Sequence, residues 1–345
     1  MAVLVWAAIA FFDEALLRFF GVSDSLLPLA REYVAPIKFA VPLFLFNQML
    51  AAYLRNDKNP GLATAAVLAG GIFNIFGDYF FVFPCGMGVY GAGLATAIGS
   101  GITFLVMLTH FFRKKNTLRL MRPKGLLRKL REICVTGFAT FFIDVAMGIL
   151  TILFNRQILA LLGADALAVY GVIVNIGTLA QCYAYSIGQA TQPMISTNFG
   201  AGQGQRIRQM LRYALGTAVV FGVFWTAISL AAPNLYIHVF MAPTESVLAI
   251  APAIIRCYGV SFLLLPFNVF STYYFQALMK PTTAFIVSVG RGLVISGILI
   301  FLLPVVAGAD AIWLAMPITE LLVAIFAGIQ MRRCTKNLPE ATALS

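Results

Sequence analysis

The chain has 345 residues, of which 61% are hydrophobic and 11% charged, and its formal net charge is +11. Its mean hydropathy is +0.90 and the apolar residues are spread along the whole length, which excludes a soluble domain. Of the 24 Lys and Arg residues, 18 lie in every second connection between apolar segments or in the tail. This is the positive-inside pattern of a membrane protein, and it accounts for the basic charge without a nucleic-acid partner.

Ten apolar segments follow one another along the chain. The first, Met1–Phe12, lacks the basic region and cleavage site of a signal peptide, and we interpret it as part of a span. The other nine are each close to the roughly 20 residues that a spanning helix requires. Since none alternates with period two, they predict helices, and the fold class is an all-α polytopic membrane protein. The predicted spans are 33–54, 62–83, 89–112, 133–157, 166–190, 210–232, 248–275, 283–307 and 310–331.

The longest polar connection, residues 113–131, carries nine Lys or Arg residues and no acid. It divides the chain into an incomplete N-terminal lobe (1–112), a basic cytoplasmic linker (113–131), a six-helix C-terminal lobe (132–332) and a cytoplasmic tail (333–345). Because basic connections stay on the cytoplasmic side, we expect the C-terminus inside and the linker close to anionic lipid head groups.

A weak internal repeat supports two pseudo-symmetric lobes. Both copies run from an outside start to a basic inside turn, and parallel repeats of this kind build transporters with a cavity between lobes. About two and a half spans of the second lobe have no counterpart in the first. A shift of 224 residues, followed by a three-residue gap, pairs Pro42 with Pro266, Phe46 with Phe270, Leu54 with Leu278, Pro60 with Pro281 and Gly71 with Gly292.

One candidate ion site lies on the predicted spans 62–83 and 89–112. Asn74 and Asp78 are four residues apart and share one helix face, and Thr96 follows on the next span. A carboxylate within a span is unfavourable unless it pairs or binds something, and oxygen ligands of this kind suit a hard cation such as Na⁺. A buried carboxylate could instead carry a proton. The alternative is that Asp78 lies near the outer end of its span and is hydrogen-bonded locally or solvated.

Two further acidic residues fall inside predicted spans. Asp144 lies near the middle of 133–157, where a charge costs at least about 2.5 to 3.5 kcal/mol, so we expect a role in binding a cationic substrate or a proton. The alternative is a structural ion pair with Arg256 or Arg291. For Glu320, a structural pair with Arg291 on the neighbouring span is the preferred interpretation.

A polar stripe runs along the predicted span 166–190 and just beyond it, at steps of three or four residues. One helix face is therefore polar, and in a membrane such a face points to a water-filled cavity or to another helix. We predict that it lines a cavity, with hydrogen bonding between helices as the alternative. Its members are Asn175, Thr178, Cys182, Tyr185, Gln189 and Gln192.

Five stretches together resemble the multidrug and toxic compound extrusion (MATE) transporters, in particular their DinF-like branch. They are NIFGDYFFVF and GVYGAGLATAIGSG within 74–101, GFATFFIDVAMGILTILFN at 137–155, GQATQPMISTNFGAGQ at 188–203 and FQALMKP at 275–281. The resemblance implies twelve helices in two six-helix lobes, of which this chain lacks the first two and part of the third.

The resemblance also implies roles for the candidate residues. Asn74, Asp78 and Thr96 match the cation-coupling positions of the family's N-terminal lobe, although an aspartate of the family's first helix has no match here. Asp144 resembles an acidic or Gln position that faces the cavity from the seventh helix.

The expected function is secondary active transport: antiport, coupled to H⁺ or Na⁺, that exports organic cations across the plasma membrane, with no cofactor and a monomer sufficient. One alternative is a lipid-linked oligosaccharide flippase, for which Arg156, Arg256 and Arg291 are available cations. Another is a truncated remnant that transports nothing. An enzyme is not expected, because the chain contains neither an HExxH motif nor a Ser/His dyad.

Overall fold

The structure is a computed structural model that describes residues 2–19, 27–113, 116–119 and 125–338. Inside the helices, the side chains of residues 2–5, 8, 19, 136, 139, 140 and 142–144 are not among those described. The described part of the chain is helical and contains no strand, as the long apolar runs predict. It divides into two compact units, Met1–Arg122 and Pro123–Ser345, and the division falls inside the predicted linker 113–131.

The described residues of the first unit form five α-helices and one short 3-10 turn. These are α1 (Ala2–Phe11), α2 (Asp13–Phe19), α3 (Leu27–Asn56), α4 (Pro60–Val82) and α5 (Gly88–Leu108), which continues into the 3-10 turn Thr109–Phe112.

In the second unit, residues 125–338 form eight α-helices interrupted by 3-10 and π turns. Its helices are α6 (Leu126–Gly200), α7 (Gly204–Ala231), α8 (Pro233–Phe240), α9 (Glu245–Gly259), α10 (Leu265–Ala277), α11 (Pro281–Val289), α12 (Ile295–Ala307) and α13 (Ala315–Lys336). The 3-10 turns are Val260–Leu263 and Ala309–Leu314, and Gly290–Val294 is a π turn between α11 and α12.

Eight helical stretches within the described residues are long and apolar enough to cross a membrane. Seven of them coincide within a few residues with a predicted span, from Leu27–Asn56 to Ala309–Lys336. The eighth, Val145–Gly200, joins what the sequence predicts as two spans, 133–157 and 166–190.

Gly163 breaks the long helix α6. Its φ of 83° and ψ of −172° lie in a region that essentially only glycine adopts, so the helical path is interrupted there and resumes on the other side. A helix of 56 residues would be about 84 Å long at 1.5 Å per residue, nearly three times the apolar thickness of a bilayer. The break at Gly163 therefore separates the two predicted spans.

In the first unit, small residues let α4 and α5 touch along their backbones. A Cβ atom placed on Gly70 would overlap the carbonyl oxygen of Gly99, and one on Gly77 would lie 3.0 Å from the Cβ of Ala95. This is the small-residue packing by which membrane helices approach closely. Helix α3 joins them through Asn47, whose amide donates to the carbonyl oxygen of Ser100 at 3.0 Å and lies 3.1 Å from its hydroxyl.

The same turn closes both copies of the internal repeat. Lys58 and Met279, each two residues before a helix that begins with proline, have φ values of 58° and 55° and are the non-glycine residues with positive φ in the described chain. In each turn an amide donates five residues back, from Asn59 to Leu54 at 2.9 Å and from Lys280 to Phe275 at 2.8 Å. The two turns align with a sequence shift of 221 residues, which pairs Leu54 with Phe275. The three-residue gap in the internal repeat therefore lies before Leu54, and not after it as the sequence comparison predicts.

Large apolar side chains cover much of the outer surface of both units. Phe39, Phe76 and Tyr79 in the first unit and Val220 and Val305 in the second are each more than half exposed. Exposed apolar area on this scale is expected where lipid replaces water as the surrounding medium.

Candidate functional site

The predicted ion-site residues of the first unit lie together. The Asn74 amide nitrogen lies 3.2 Å from the hydroxyl oxygen of Thr96 and 3.5 Å from Oδ1 of Asp78. Thr96 donates its own proton to the carbonyl oxygen of Ala92 at 3.1 Å, so its remaining lone pairs are free to accept. All three predicted side chains are half-buried. The i, i+4 spacing on α4 and the close approach of α5 together produce the cluster.

The oxygen atoms of this cluster are suited to binding a hard monovalent cation or a proton. Asp78 and Thr96 present oxygen atoms to the same amide nitrogen, and the Asn74 amide carries a further oxygen. Which end of the amide faces the other two side chains follows from the hydrogen-bond network and not from the positions of hydrogen atoms. If the oxygen and nitrogen of the Asn74 amide exchanged places, its oxygen would join those of Asp78 and Thr96. Na⁺ favours a set of oxygen ligands of this kind.

A cavity of about 340 Å³ lies inside the second unit. This volume falls in the range of pockets that hold small organic molecules. Its walls combine aromatic rings with a few hydroxyl, amide and guanidinium groups. The aromatic residues are Tyr170, Tyr185, Tyr258 and Phe262, and the polar ones include Thr151, Thr178, Gln181, Ser261 and Arg291.

Half of the predicted polar stripe lines this cavity. Thr178, Cys182 and Tyr185 are on its wall, and Gln181 donates to the Tyr185 hydroxyl at 2.7 Å. The other members lie elsewhere. Asn175 is exposed and its amide donates to the carbonyl oxygen of Gly171 at 3.1 Å.

Of the remaining two members of the stripe, one forms a hydrogen bond between helices, which is the alternative interpretation of the stripe. Gln192 donates to the side chain of Gln276 on α10 at 3.3 Å, which is a hydrogen bond between helices. Gln189 is half-buried and does not line the cavity. The stripe therefore serves both purposes, changing from cavity wall to helix contact toward the end of α6.

Arg291 and Glu320 form the structural ion pair that the sequence predicts. Nε of Arg291 lies 2.7 Å from Oε1 of Glu320, and the Glu320 side chain is fully buried. Asn268 donates to Oε2 of Glu320 at 2.5 Å and to its backbone carbonyl oxygen at 2.8 Å. Both carboxylate oxygens thus have a donor, which is what a buried charge needs to persist. The sequence gives no direct signal for the part that Asn268 plays.

The other candidate charges of the second unit are described only in part. Asp144 lies in α6, but its side chain is outside the described part of the structure. Arg256 donates from Nε to the carbonyl oxygen of Leu230 at 3.0 Å, and Arg156 is exposed. Of the three arginines that the flippase alternative needs, Arg291 lines the cavity and is already paired with Glu320.

The sequence did not reveal a polar cluster at the end of the first unit. His110 is fully buried, with Nε2 2.6 Å from Oδ2 of Asp57 and Nδ1 3.0 Å from the Asn59 amide nitrogen. Thr117 donates to Asp57 through both its hydroxyl and its backbone N–H. More than fifty residues separate the partners, so a pattern of spacing could not have found them.

The described residues form helices of spanning length, a half-buried acid beside an amide and a hydroxyl, and an apolar cavity with a few polar groups. Together these features define a polytopic membrane transporter. The MatE family model matches residues 1–80 and 138–302. The chain therefore belongs to the MatE family of multidrug efflux transporters, whose members are transporters and not enzymes.

The relatives and solved structures that match cover nearly the whole chain. The multidrug export protein MepA of Staphylococcus saprophyticus is 23% identical over 329 residues, which are 95% of this chain and 72% of that protein. An outward-facing multidrug resistance MATE transporter matches with a TM-score of 0.87 at 21% identity, covering 98% of this chain and 77% of that one.

The MATE multidrug transporter DinF-BH matches with a TM-score of 0.85 at 24% identity, covering 96% of this chain and 75% of that chain. At this identity the likeness shows the fold. Membership of the DinF-like branch stays a prediction.

Proposed function

We propose that the chain is a secondary active transporter that exports amphipathic organic cations across the plasma membrane in exchange for H⁺ or Na⁺. The observation that carries the proposal is the cluster of Asn74, Asp78 and Thr96, where a carboxylate inside a span lies beside an amide and a hydroxyl. Such intramembrane acids are expected on ion pathways.

The coupling ion would bind at Asp78. A proton would neutralise its carboxylate, whereas Na⁺ would be held by Asp78 together with the Thr96 hydroxyl and the Asn74 amide oxygen. In both cases the net charge at Asp78 changes when the ion binds. A gradient can then drive transport because the proposed site would bind the ion with different affinities in the two conformations of the transport cycle.

The substrate would bind in the cavity of the second unit. The faces of the aromatic rings in its wall attract cations, and Thr178 and Gln181 offer hydrogen bonds that fix the orientation of the substrate. Asp144 is the proposed anionic partner of the substrate or of a second proton. The MepA relatives are named multidrug export proteins, which supports a small organic substrate for this chain.

Export from inverted membrane vesicles tests the proposal. Ethidium fluorescence is followed after a proton gradient or a Na⁺ gradient is imposed, for the wild type and for Asp78→Asn. We expect gradient-dependent transport in the wild type and a rate at least about tenfold slower in the variant, because the variant cannot change its charge when the ion binds. The matched control is Asp310→Asn, an exposed acid of the second unit, which should transport as the wild type does.

Two results would reject the proposal in different ways. Unchanged gradient-driven transport by Asp78→Asn would show that the coupling ion binds elsewhere. Correct membrane insertion without any gradient-driven ethidium movement in the wild type would favour the non-transporting alternative. The dependence on Na⁺ or on pH identifies the ion.

A further inference from the structure

His110 belongs to a chain of hydrogen bonds whose direction is fixed at both ends by backbone N–H groups. At one end, the N–H of Leu62 lies 3.4 Å from the Asn59 side chain, and because an N–H only donates, the atom facing it is Oδ1. The Asn59 amide nitrogen then lies 3.0 Å from Nδ1 of His110 and donates to it. At the other end, Asp57 accepts from the hydroxyl and the N–H of Thr117. We call Asp57, Asn59, His110 and Thr117 the His110 network.

Only one neutral form of the His110 ring fits this order of donors and acceptors. Nδ1 faces a donor, whereas Nε2 lies 2.6 Å from Oδ2 of Asp57, which is an acceptor. The proton of the neutral ring therefore lies on Nε2. The ring is fully buried and the Asp57 side chain is 5% exposed, so water does not offer the ring other partners.

The Asn59 side chain also forms the N-cap of α4. Pro60 is the first residue of the helix and has no N–H, and the Leu62 N–H in the first turn is the group that the cap oxygen binds. One amide thus serves the ring and the helix at once, since its nitrogen donates to His110 and its oxygen caps α4. A change in what His110 requires of this amide therefore affects the start of the helix.

A second proton on the ring is incompatible with this arrangement. With a proton on Nδ1, both ring nitrogens donate, and the new N–H faces the nitrogen of the Asn59 amide. Rotation of the amide by half a turn brings its oxygen to Nδ1, but its nitrogen then faces the Leu62 N–H and the cap is lost. We expect this rotation, because losing a cap hydrogen bond costs less than leaving a buried, charged N–H without an acceptor.

Asp57 supplies the negative charge that a protonated ring needs. Its carboxylate lies at hydrogen-bond distance from Nε2, so the charged ring is paired although it is buried. The hydrogen bond from the Thr117 hydroxyl and that from His110 hold the pKa of Asp57 at about 2, with a further contribution from the Thr117 N–H. The carboxylate therefore stays ionised across the range, about pH 5 to 8, in which histidine side chains usually change their charge.

The other charged residues near the network in sequence are basic. Those in the described chain are at least partly exposed, and they are Arg55, Lys58 and Arg113. Lys114 and Lys115 lie outside the described residues. Arginine and lysine side chains donate hydrogen bonds and accept none, so none of them can replace the Asn59 oxygen as the acceptor for a proton on Nδ1.

We propose that His110 is a pH sensor whose protonation turns the Asn59 amide and removes the N-cap of α4. The network lies at the end of the first unit that carries the basic connections, which is the predicted cytoplasmic side, so the sensor responds to cytoplasmic acidification. Its output is the start of α4, the helix that also carries Asn74 and Asp78. The inference goes beyond the proposed function, because no group in the network belongs to the candidate ion site or to the cavity.

Nitrogen NMR of the histidine rings tests the first step. The chain contains two histidines, so the full chain labelled with ¹⁵N-histidine in lipid nanodiscs gives the signals of two rings, and His238→Gln assigns them. At about pH 8 we expect His110 to carry its proton on Nε2, and at about pH 5.5 to carry protons on both nitrogens. A neutral ring with its proton on Nδ1, or a ring that is still neutral at the lower pH, would overturn the inference.

Hydrogen exchange of the Leu62 amide tests the second step. Exchange is measured at the same two pH values, and each rate is compared with that of an unstructured peptide at that pH, since intrinsic exchange also depends on pH. The ratio of the two rates is the protection of the amide. In the wild type we expect protection to be about fivefold lower at the lower pH, as the loss of an N-cap hydrogen bond implies.

Three variants assign this difference to the two residues. His110→Gln cannot take up the proton but keeps a donor for Asp57 and an acceptor for Asn59, so protection should be equal at both pH values. Asn59→Asp offers one oxygen to Leu62 and another to a protonated Nδ1, so the cap should persist at both pH values. His238→Gln is the matched control, because His238 is exposed in α8 of the second unit, and it should keep the wild-type difference.

The outcomes decide the inference without reference to transport, because neither measurement uses an ion gradient or a substrate. Equal protection at both pH values in the wild type would overturn it. A difference that persists in His110→Gln or in Asn59→Asp would overturn it as well. If His110→Gln does not fold, Asn59→Asp decides, since it retains the ring and a residue type that is favoured at the N-cap.

Discussion

Nε2 of His110 lies 2.6 Å from Oδ2 of Asp57, although 53 residues separate them, and both side chains are almost completely buried. On the other side of the ring, the Asn59 amide donates to Nδ1 at 3.0 Å, while the Asn59 Oδ1 accepts from the amide of Leu62 at 3.4 Å. Nδ1 therefore acts as an acceptor, and the proton lies on Nε2, which donates it to Asp57. The pair ties the end of α5 to the turn before α4.

The first prediction concerns pH and the stability of the first unit. The Thr117 hydroxyl, His110 and the backbone N–H of Thr117 lower the pKa of Asp57 to about 2. A carboxyl group whose pKa is lower in the folded than in the unfolded state stabilises the fold above its unfolded pKa, and this stabilisation is lost as pH falls toward the folded pKa. The wild type should therefore lose stability between about pH 5 and pH 2.

Asp57→Asn should remove part of this dependence. In thermal unfolding followed by intrinsic fluorescence in detergent, the variant should have a lower midpoint at about pH 6 and a smaller decrease on acidification than the wild type. Asp310→Asn, in which the acid is exposed, should follow the wild-type profile. If the unfolding midpoints of the wild type and Asp57→Asn changed in parallel with pH, the pH dependence could not be assigned to Asp57.

The second prediction concerns the contact between α4 and α5. In Gly70→Ala the new Cβ would overlap both the Gly99 carbonyl oxygen and the Thr103 hydroxyl, so the helices must separate. We expect destabilisation by about 1 to 3 kcal/mol, as is typical of overpacking. Gly71→Ala is the matched control, because nothing lies within 4 Å of its added Cβ. It should be neutral or slightly stabilising, and equal unfolding free energies for the two variants would refute the close contact.

The third prediction tests the break in α6. Gly163→Ala adds a Cβ that meets no atom within 4 Å, so any effect must come from its φ of 83°. The strain should lower the unfolding free energy by about 1 to 3 kcal/mol. Gly171→Ala, on the same helix and also without a neighbour within 4 Å, should not be destabilising. An unaffected Gly163→Ala would mean that α6 does not bend at this residue.

The fourth prediction is a double-mutant cycle on the buried ion pair. Glu320→Gln leaves Arg291 charged and uncompensated, and it should destabilise the second unit by about 3 to 5 kcal/mol. Adding Arg291→Met removes the uncompensated charge, so the double variant should be more stable than Glu320→Gln alone. Unfolding by sodium dodecyl sulfate measures each corner of the cycle. Strictly additive losses would show that the two residues do not act as a pair.

The spans could be predicted from the sequence because length and hydropathy alone determine which helices cross a bilayer. The break in α6 at Gly163 falls between the predicted spans 133–157 and 166–190, although it lies in the apolar stretch LALLGADALA, without the proline or polar cluster that usually marks a connection. The short helix α8 is marked only by Pro233 at its first position, and the π turn at Gly290–Val294 has no sequence signal of its own.

The candidate ion site was predictable to the extent that it is local. Asn74 and Asp78 are related by helix spacing, and their common face follows from it. The position of Thr96 beside them depends on how closely α4 and α5 approach, which the glycines only suggest. Contacts between distant residues, such as Asn268 with Glu320 or His110 with Asp57, depend on tertiary packing and cannot be predicted from the periodicity of the sequence.

The backbone contact between Gly70 and Gly99 has a consequence for the proposed ion site. Because the backbones of α4 and α5 already touch there, the two helices cannot move closer together, and we expect Asn74 and Thr96 to keep their separation in the proposed transport cycle. The ion would then enter and leave by hydration or protonation of Asp78. Its affinity would be set by the access of water to this carboxylate and not by a separation of the two helices.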